Sequence, residues 1–220
     1  MVELNISGKN LTSLVDVNFP ENVNILICGD NLLTSLEGCP SSVRVLHCYN
    51  NQITSLKNCP LYIEELYCSS NQITSLKDCP SSIQKLACYR NQLRNLEGCP
   101  STIQELYCGY NQLTNLEGCP STIQKLDCSF NQLTSLEGCP PFVQLLDCSD
   151  NQITSLEYCP SSVQELYCYD DNNNLTSLEY LPPFVKKLRC SDHSFNSEYR
   201  HKSLEEIHEI NKLKAYRKGI

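Results

Sequence analysis

The sequence predicts a solenoid of about ten short parallel strands stacked into one curved sheet, with a single α-helix at the C-terminal end. Three observations predict it. A twenty-residue unit recurs without a slip from Cys28 to Cys168. Within each unit, a stretch such as Ile103-Gln-Glu-Leu106-Tyr-Cys108 alternates apolar and polar, the period-two mark of a strand. The return to the next strand, Leu113 to Thr122, is too short and too interrupted by Pro120 for a helix and its two turns. A unit of that size cannot bury its own apolar side. It must stack on its neighbours, so the chain becomes quasi-linear.

The strands are expected to centre near Asn5, Ile27, His47, Tyr67, Ala87, Tyr107, Asp127, Asp147, Tyr167 and Arg189. Each arrives in the register of the last, so neighbours run parallel. The outer, convex wall should be extended or polyproline-like. Asn31, Asn51, Asn71, Asn91, Asn111, Asn131 and Asn151 follow successive strands where the chain turns inward. A buried amide there can satisfy the loop's backbone groups and stack as a ladder. The first and last units are stretched, Ile6 to Cys28 and Cys168 to Cys190, the latter by the run Asp170-Asp-Asn-Asn-Asn174.

After His193 the repeat stops. Ser203-Leu-Glu-Glu206 reads as a capping box, and Leu204, Ile207, Ile210 and Leu213 recur about every three residues. Glu205, Glu206 and Glu209 sit early while Lys214, Arg217 and Lys218 sit late, as the helix dipole favours. The expected division is a repeat array over residues 1–192 and a capping segment over 193–220, with its helix at about 204–217. That helix should lie over the last strand, whose edge and apolar residues Val185, Leu188 and Cys190 otherwise face water.

The sixteen cysteines fall into two columns. One runs Cys28, Cys48, Cys68, Cys88, Cys108, Cys128, Cys148, Cys168 and Cys190; the other runs Cys39, Cys59, Cys79, Cys99, Cys119, Cys139 and Cys159. Ile6 stands in the first column where Cys is absent, and Leu181 and Phe19 stand in the second. A position that accepts Ile, Leu or Phe needs an apolar filler, which reduced cysteine can be. No Cys-x-x-Cys pair suggests zinc. So many free thiols fit a reducing compartment, and a cytoplasmic location is expected.

Net charge is −8, and no basic run occurs outside the last ten residues. That argues against nucleic acid, whose phosphates need a basic stripe. No apolar run approaches the ~20 residues that cross a bilayer, and Met1-Val-Glu-Leu-Asn-Ile6 lacks the basic start and apolar core of a signal peptide. No catalytic set, cofactor or metal site is expected. Asp192-His193-Ser194 reads as a polar turn, since triad members meet in space rather than in sequence. His47, His201 and His208 have no metal-ligand spacing, and there is no Gly-rich phosphate loop.

The pattern Ile-x-x-Leu-x-Cys-x-x-Asn-x-Leu resembles the leucine-rich repeat, with Cys in the last strand position. The block Asn-Gln-Leu-Thr-Ser-Leu-Glu-Gly-Cys-Pro-Ser-Ser is similar to the twenty-residue class of bacterial type III effectors, from which Glu97 and Cys99 depart. The Cys-Pro-Ser-Ser variant is more similar to leucine-rich-repeat proteins of giant amoeba viruses. The resemblance covers roughly residues 1–192 and implies a curved right-handed β-solenoid with its strands on the concave face. Some of those effectors carry a ubiquitin-ligase domain with a catalytic Cys after the repeats. No Cys follows Cys190 here, so that activity is not carried over.

Residues that flank the inward side chains of a strand point to the opposite, concave face. The candidate partner-binding residues read from those columns are Tyr49, Tyr67, Tyr89, Tyr107, Tyr110, Asp127, Asp147, Asp150, Tyr167 and Tyr169. Seven of the twelve tyrosines are among them. The column Glu65, Lys85, Glu105, Lys125, Leu145, Glu165, Lys187 should pair laterally as a structural row. Glu97, Glu117, Glu137, Glu157 and Glu179 form a solvated outer row. The expected function is a non-enzymatic module that binds a protein, one with a basic patch and from a host cell. A substrate-recruiting adaptor of a ubiquitin-ligase-type complex is one alternative. A self-assembling structural protein is the other.

Overall fold

The structure, a computed structural model, describes residues 2–169, 174–191 and 195–218 of the chain. Residues 170–173 of the insertion and the Asp192-His193-Ser194 run lie outside them. Ten strands form one sheet in chain order: β1 (Val2–Asn5), β2 (Val23–Ile27), β3 (Val45–His47), β4 (Glu65–Tyr67), β5 (Lys85–Ala87), β6 (Glu105–Tyr107), β7 (Lys125–Asp127), β8 (Leu145–Asp147), β9 (Glu165–Cys168) and β10 (Lys187–Cys190). All pairs are parallel, and Leu46, Leu66 and Leu86 stand in line across the sheet. Each expected centre falls within its strand.

The same few inward residues of every unit make the core. In one turn Ile103, Leu106, Cys108, Leu113 and Leu116 are wholly inaccessible to solvent. The asparagine ladder joins the turns. Asn91 Nδ2 donates to the carbonyls of Cys88 at 2.9 Å, of Cys68 in the preceding turn at 3.1 Å, and of Tyr89 at 3.3 Å. Its Oδ1 accepts the Ile73 N–H at 2.9 Å. Backbone groups that no strand could pair are thus satisfied away from water, and the same set recurs at Asn51, Asn71, Asn111, Asn131 and Asn151.

Among the described residues the convex side carries neither helix nor strand, and two tight turns per unit take the chain round. Cys99 N–H donates to the Leu96 carbonyl at 3.0 Å and Ile103 N–H to the Pro100 carbonyl at 3.2 Å. Gly98 occupies the first of these with φ +85°, the left-handed geometry of a type II turn. A Cβ there would stand 2.7 Å from Lys77 Cα, so the close stacking of turns also demands glycine.

All sixteen cysteines are free. The first column is fully buried from Cys28 to Cys168, while Cys190 and most of the second column are half-buried. Leu181 is buried and Ile6 packs against the core, as fillers of the columns should. In the first unit, however, Val17 rather than Phe19 takes the second-column position: its N–H donates to the Leu14 carbonyl as that of Cys39 does to Leu36, and Phe19 packs two residues further on. Burial pushes the thiols of Cys28, Cys59, Cys99 and Cys139 up to about 12.

The helix α1 spans Leu204–Lys218. Its capping box is reciprocal: Ser203 N–H donates to Glu206 Oε2 at 2.8 Å, and Glu206 N–H to Ser203 Oγ at 3.2 Å. It packs on the last repeat. Asn211 Nδ2 donates to the Leu178 carbonyl at 2.7 Å and His208 Nε2 to the Val185 carbonyl at 3.1 Å. The apolar cover differs from the expected set. Ile207 is buried and Leu204 and Ile210 are half-buried, but Leu213 remains 56% exposed. Phe195 and Tyr199, just before the helix, complete the cover because the chain reverses there and drives both rings beneath α1. Among the described residues no helix is long and apolar enough to cross a membrane.

Candidate functional site: the concave face

Every strand places one side chain on the concave surface, between its inward Leu and the inward residue two positions on, which is Cys except after β1, where it is Ile6. In the N-terminal half these side chains interlock. His47 stacks flat on Tyr67, ring centroids 4.3 Å apart and parallel. The Tyr67 hydroxyl donates to Glu65 Oε2 at 2.5 Å. Lys85 Nζ lies 5.6 Å from the Tyr67 ring centre and 5.8 Å from that of Tyr107. Glu105 collects Lys125 at 2.7 Å, Lys85 at 3.3 Å and the Tyr107 hydroxyl at 3.0 Å. The Lys125 contact, above all, holds the Glu105 carboxyl below its usual range. The charge column is therefore structural in part, as expected, but it also clamps the tyrosines, and Glu65 turns to Tyr67.

The C-terminal half is acidic. Asp127 and Asp147 are register partners on β7 and β8. Like charges opposed across strands destabilise a sheet, so their juxtaposition is a cost to the sheet. Each carboxylate turns to a serine of its own turn. Asp127 Oδ1 accepts the Ser129 N–H at 3.0 Å and its hydroxyl at 2.6 Å, and Asp147 Oδ1 accepts the Ser149 N–H at 3.0 Å. Burial raises the Asp147 pKa, Ser149 opposes that, and Asp127 and Asp150 add to the rise. Beyond this pair stands Tyr167, its hydroxyl 3.1 Å from Glu165 and its ring 5.0 Å from Lys187 Nζ.

A second row runs along the rim, where the chain leaves each strand in a left-handed conformation. Arg90, Tyr110, Phe130 and Asp150 have φ between 51° and 54°. Non-glycine residues adopt this region at a cost, Asn and Asp more easily than aromatics. Tyr110 and Phe130 stack at 4.0 Å, and Arg90 lies 4.9 Å from the Tyr110 ring centre. Sequence reasoning placed Tyr110 and Asp150 here but had no signal for the stack.

Tyr89, Tyr110 and Tyr169 are the most open of the ten candidates, at 43%, 43% and 46% exposure. Tyr49, Tyr67, Tyr107, Tyr167, Asp127, Asp147 and Asp150 are half-buried. The position after each Cys is not uniformly open, however. Ser69, Gly109, Ser129 and Ser149 are buried, because that residue sinks beneath its neighbours unless it is large. Tyr49 lies flat over Gly29, where a Cβ would approach its ring to 2.6 Å. Sequence reading overlooked another exposed set, Leu61, Tyr62, Phe142 and Phe184, 65–74% exposed on the flank before the strands. The signal was available. Tyr62, Phe142 and Phe184 interrupt a column otherwise made of Ser42, Ser82, Thr102, Thr122 and Ser162.

No protein-family model matches the sequence, and no curated protein does. Solved structures do. The internalin inlF of Listeria monocytogenes aligns with a TM-score of 0.65 at 15% identity, over 80% of this chain and 66% of that one. The Shigella effector LRR domain aligns at 0.57 and 22% identity, over 86% and 80%. The functional domain of InlJ from Listeria monocytogenes, which includes a cysteine ladder, aligns at 0.57 and 17% identity, over 94% of this chain and 56% of that one. The present chain thus spans little more than half of that domain. Ten parallel strands in one sheet, in chain order, together with these structural likenesses decide the architecture. The chain has the leucine-rich-repeat fold. Its thiols form two columns, a buried one under the strands and a mostly half-buried one at the convex turns.

Proposed function

We propose that this leucine-rich-repeat chain is a non-enzymatic module that binds a protein partner on its concave face. One observation carries the reading: ten tyrosine and aspartate side chains concentrate on that face and its rim, held by a rigid sheet. Tyrosine brings contact area and a hydroxyl with little rotamer entropy to lose. Ten strands at about 4.8 Å make a face roughly 45 Å long, enough with its rims to approach the ~800 Å² per partner of a standard interface. The in-register Asp127 and Asp147, with Asp150 beside them, favour a partner with a basic patch. One neighbour of this fold, TLR13, is known in a complex with ssRNA13, at a TM-score of 0.62 and 18% identity. The net charge of −8 disfavours nucleic acid for this chain.

The sixteen reduced thiols support work in a cytoplasm, and the likeness to an effector domain supports a host cell's. Site-specific photocrosslinking tests the face directly. A crosslinking residue at Tyr89 or Tyr110 should capture the partner from host-cell lysate, whereas one at Tyr158 on the convex side should not. Capture from Tyr158 alone would refute the assignment. The adaptor reading is second. Leu213 and Tyr216 stand 56% and 84% exposed on the outer side of α1 and would be its docking element.

A further inference from the structure

The flank that leads into the strands carries a surface of different chemistry from the concave face. At this position Thr102 Oγ1 donates to the Ser81 and Ile83 carbonyls at 2.8 and 2.7 Å, and Thr122 Oγ1 to those of Ser101 and Ile103 at the same distances. Ser162 Oγ does likewise to Pro141 and Val143. Phe142 and Phe184 cannot make these bonds, and each leaves its ring 65% exposed. Tyr62 also breaks the column, but there Arg44 replaces the hydroxyl by donating to the Ser41, Ser42 and Val43 carbonyls, each at 3.2 Å. Among the described residues no side chain replaces the hydroxyl in this way at the two phenylalanines. They surrender a bond and expose apolar surface, which is unfavourable for the fold taken alone.

Between them lies a groove of about 410 Å³ lined by Gln124, Phe142, Gln144, Ser162, Gln164 and Phe184. On the other side of Phe142 it continues for about 500 Å³ along Gln84, Thr102, Gln104 and Thr122. Amides, hydroxyls and phenyl rings line it, with no charged group among these residues. In a chain with 25 acidic and 17 basic residues, this is a neutral track, matched to a neutral ligand.

The spacing narrows the ligand further. Phe142 and Phe184 each precede a strand residue in one register line, Leu145, Glu165, Lys187, so they stand two strands apart. Two strand spacings are about 9.6 Å. A polyproline II helix advances about 9.3 Å per three-residue turn and leaves its carbonyls unbonded. Prolines three residues apart would each meet one phenyl ring, and the glutamine amides between could donate to the carbonyls. Lys186 Nζ donates to Gln164 Oε1 at 3.1 Å, which leaves the NH2 end of that amide as the donor for a ligand. We propose that this groove binds an uncharged polyproline II segment of a partner protein, with prolines at i and i+3 against Phe142 and Phe184. It is independent of the concave face.

Fluorescence anisotropy on the full chain, with a fluorescein-labelled peptide of four Pro-Pro-Ala units, tests the proposal. Saturable binding is expected, weakened at least about tenfold by either Phe142→Thr or Phe184→Ser. Both variants restore the column's hydroxyl, so the melting temperature should hold or rise. Tyr107→Ala should leave this affinity unchanged. A Gly-Ser peptide of equal length should not bind. The proposal is overturned by absence of binding at about 1 mM, by binding that both phenylalanine changes leave intact, or by equal binding of the Gly-Ser peptide. Preferential binding of a β-linked glucose hexamer would also overturn it, in favour of a polysaccharide site.

Discussion

His47 and Tyr67 lie face to face on adjacent strands, ring centroids 4.3 Å apart. Burial lowers the His47 pKa from its ordinary 6.5, against the pull of Glu65 and Glu3. The folded chain therefore holds a neutral imidazole at a pH where the unfolded chain binds a proton. Where the unfolded state binds more protons, stability rises with pH. Acidification through about 6.5 should thus destabilise the array, and His47→Gln should flatten that slope. An NMR titration of His47 reads the midpoint directly, and a midpoint above 6.5 would reverse the sign.

The asparagine ladder should be the most sensitive polar feature. Asn91→Ala removes three donated bonds and the acceptor for Ile73 N–H, stranding backbone groups inside the solenoid. A loss of about 3 kcal/mol is expected, against a few tenths for the neighbouring exposed Gln92→Ala. Urea denaturation of both variants checks the contrast.

The thiols should be counted low in the native state. With Cys28 and Cys139 pushed up to about 12, almost none of either is thiolate at pH 8, and the first column from Cys28 to Cys168 is buried as well. A thiol reagent should find few groups at once and all sixteen after denaturation. A shortfall after denaturation would mean disulfides.

The C-terminal helix should stabilise the array. Tyr199, 1% exposed, donates its hydroxyl to Asn211 Oδ1 at 2.8 Å, and Asn211 in turn reaches the Leu178 carbonyl. Tyr199→Ala should cost about 3 kcal/mol, and removal of residues 200–220 should lower the melting temperature or cause aggregation. An equally stable truncated array would instead favour the adaptor reading.

Much of the fold was legible because repetition multiplies each weak signal. One Asn after one strand says little, but seven at one position specify a ladder. The capping box Ser203 to Glu206 was legible for the same reason a local motif always is. Three-dimensional neighbours were not. Nothing local distinguishes Leu213, left in water, from Phe195 and Tyr199, which the reversal of the chain buries. The concave candidates came from strand alternation alone, which could not reveal that Ser129 and Ser149 sink beneath the turn or that Lys85 sits between two tyrosines. Phe142 and Phe184 were visible only to a reading down the hydroxyl column, where breaks in the pattern carry the information.

The concave assignment is tested most directly by one comparison of partner capture. The chain with Tyr67, Tyr89 and Tyr107 changed to Ala should lose capture while remaining folded, with a melting temperature lowered only by the stack and ion contacts it gives up. Capture by the unaltered chain should weaken with salt. Reversal of Glu97, Glu117, Glu137 and Glu157 to Lys should leave capture intact. Capture that survives the three tyrosine changes but is lost on reversing the glutamates would place the binding surface on the convex side and contradict the account.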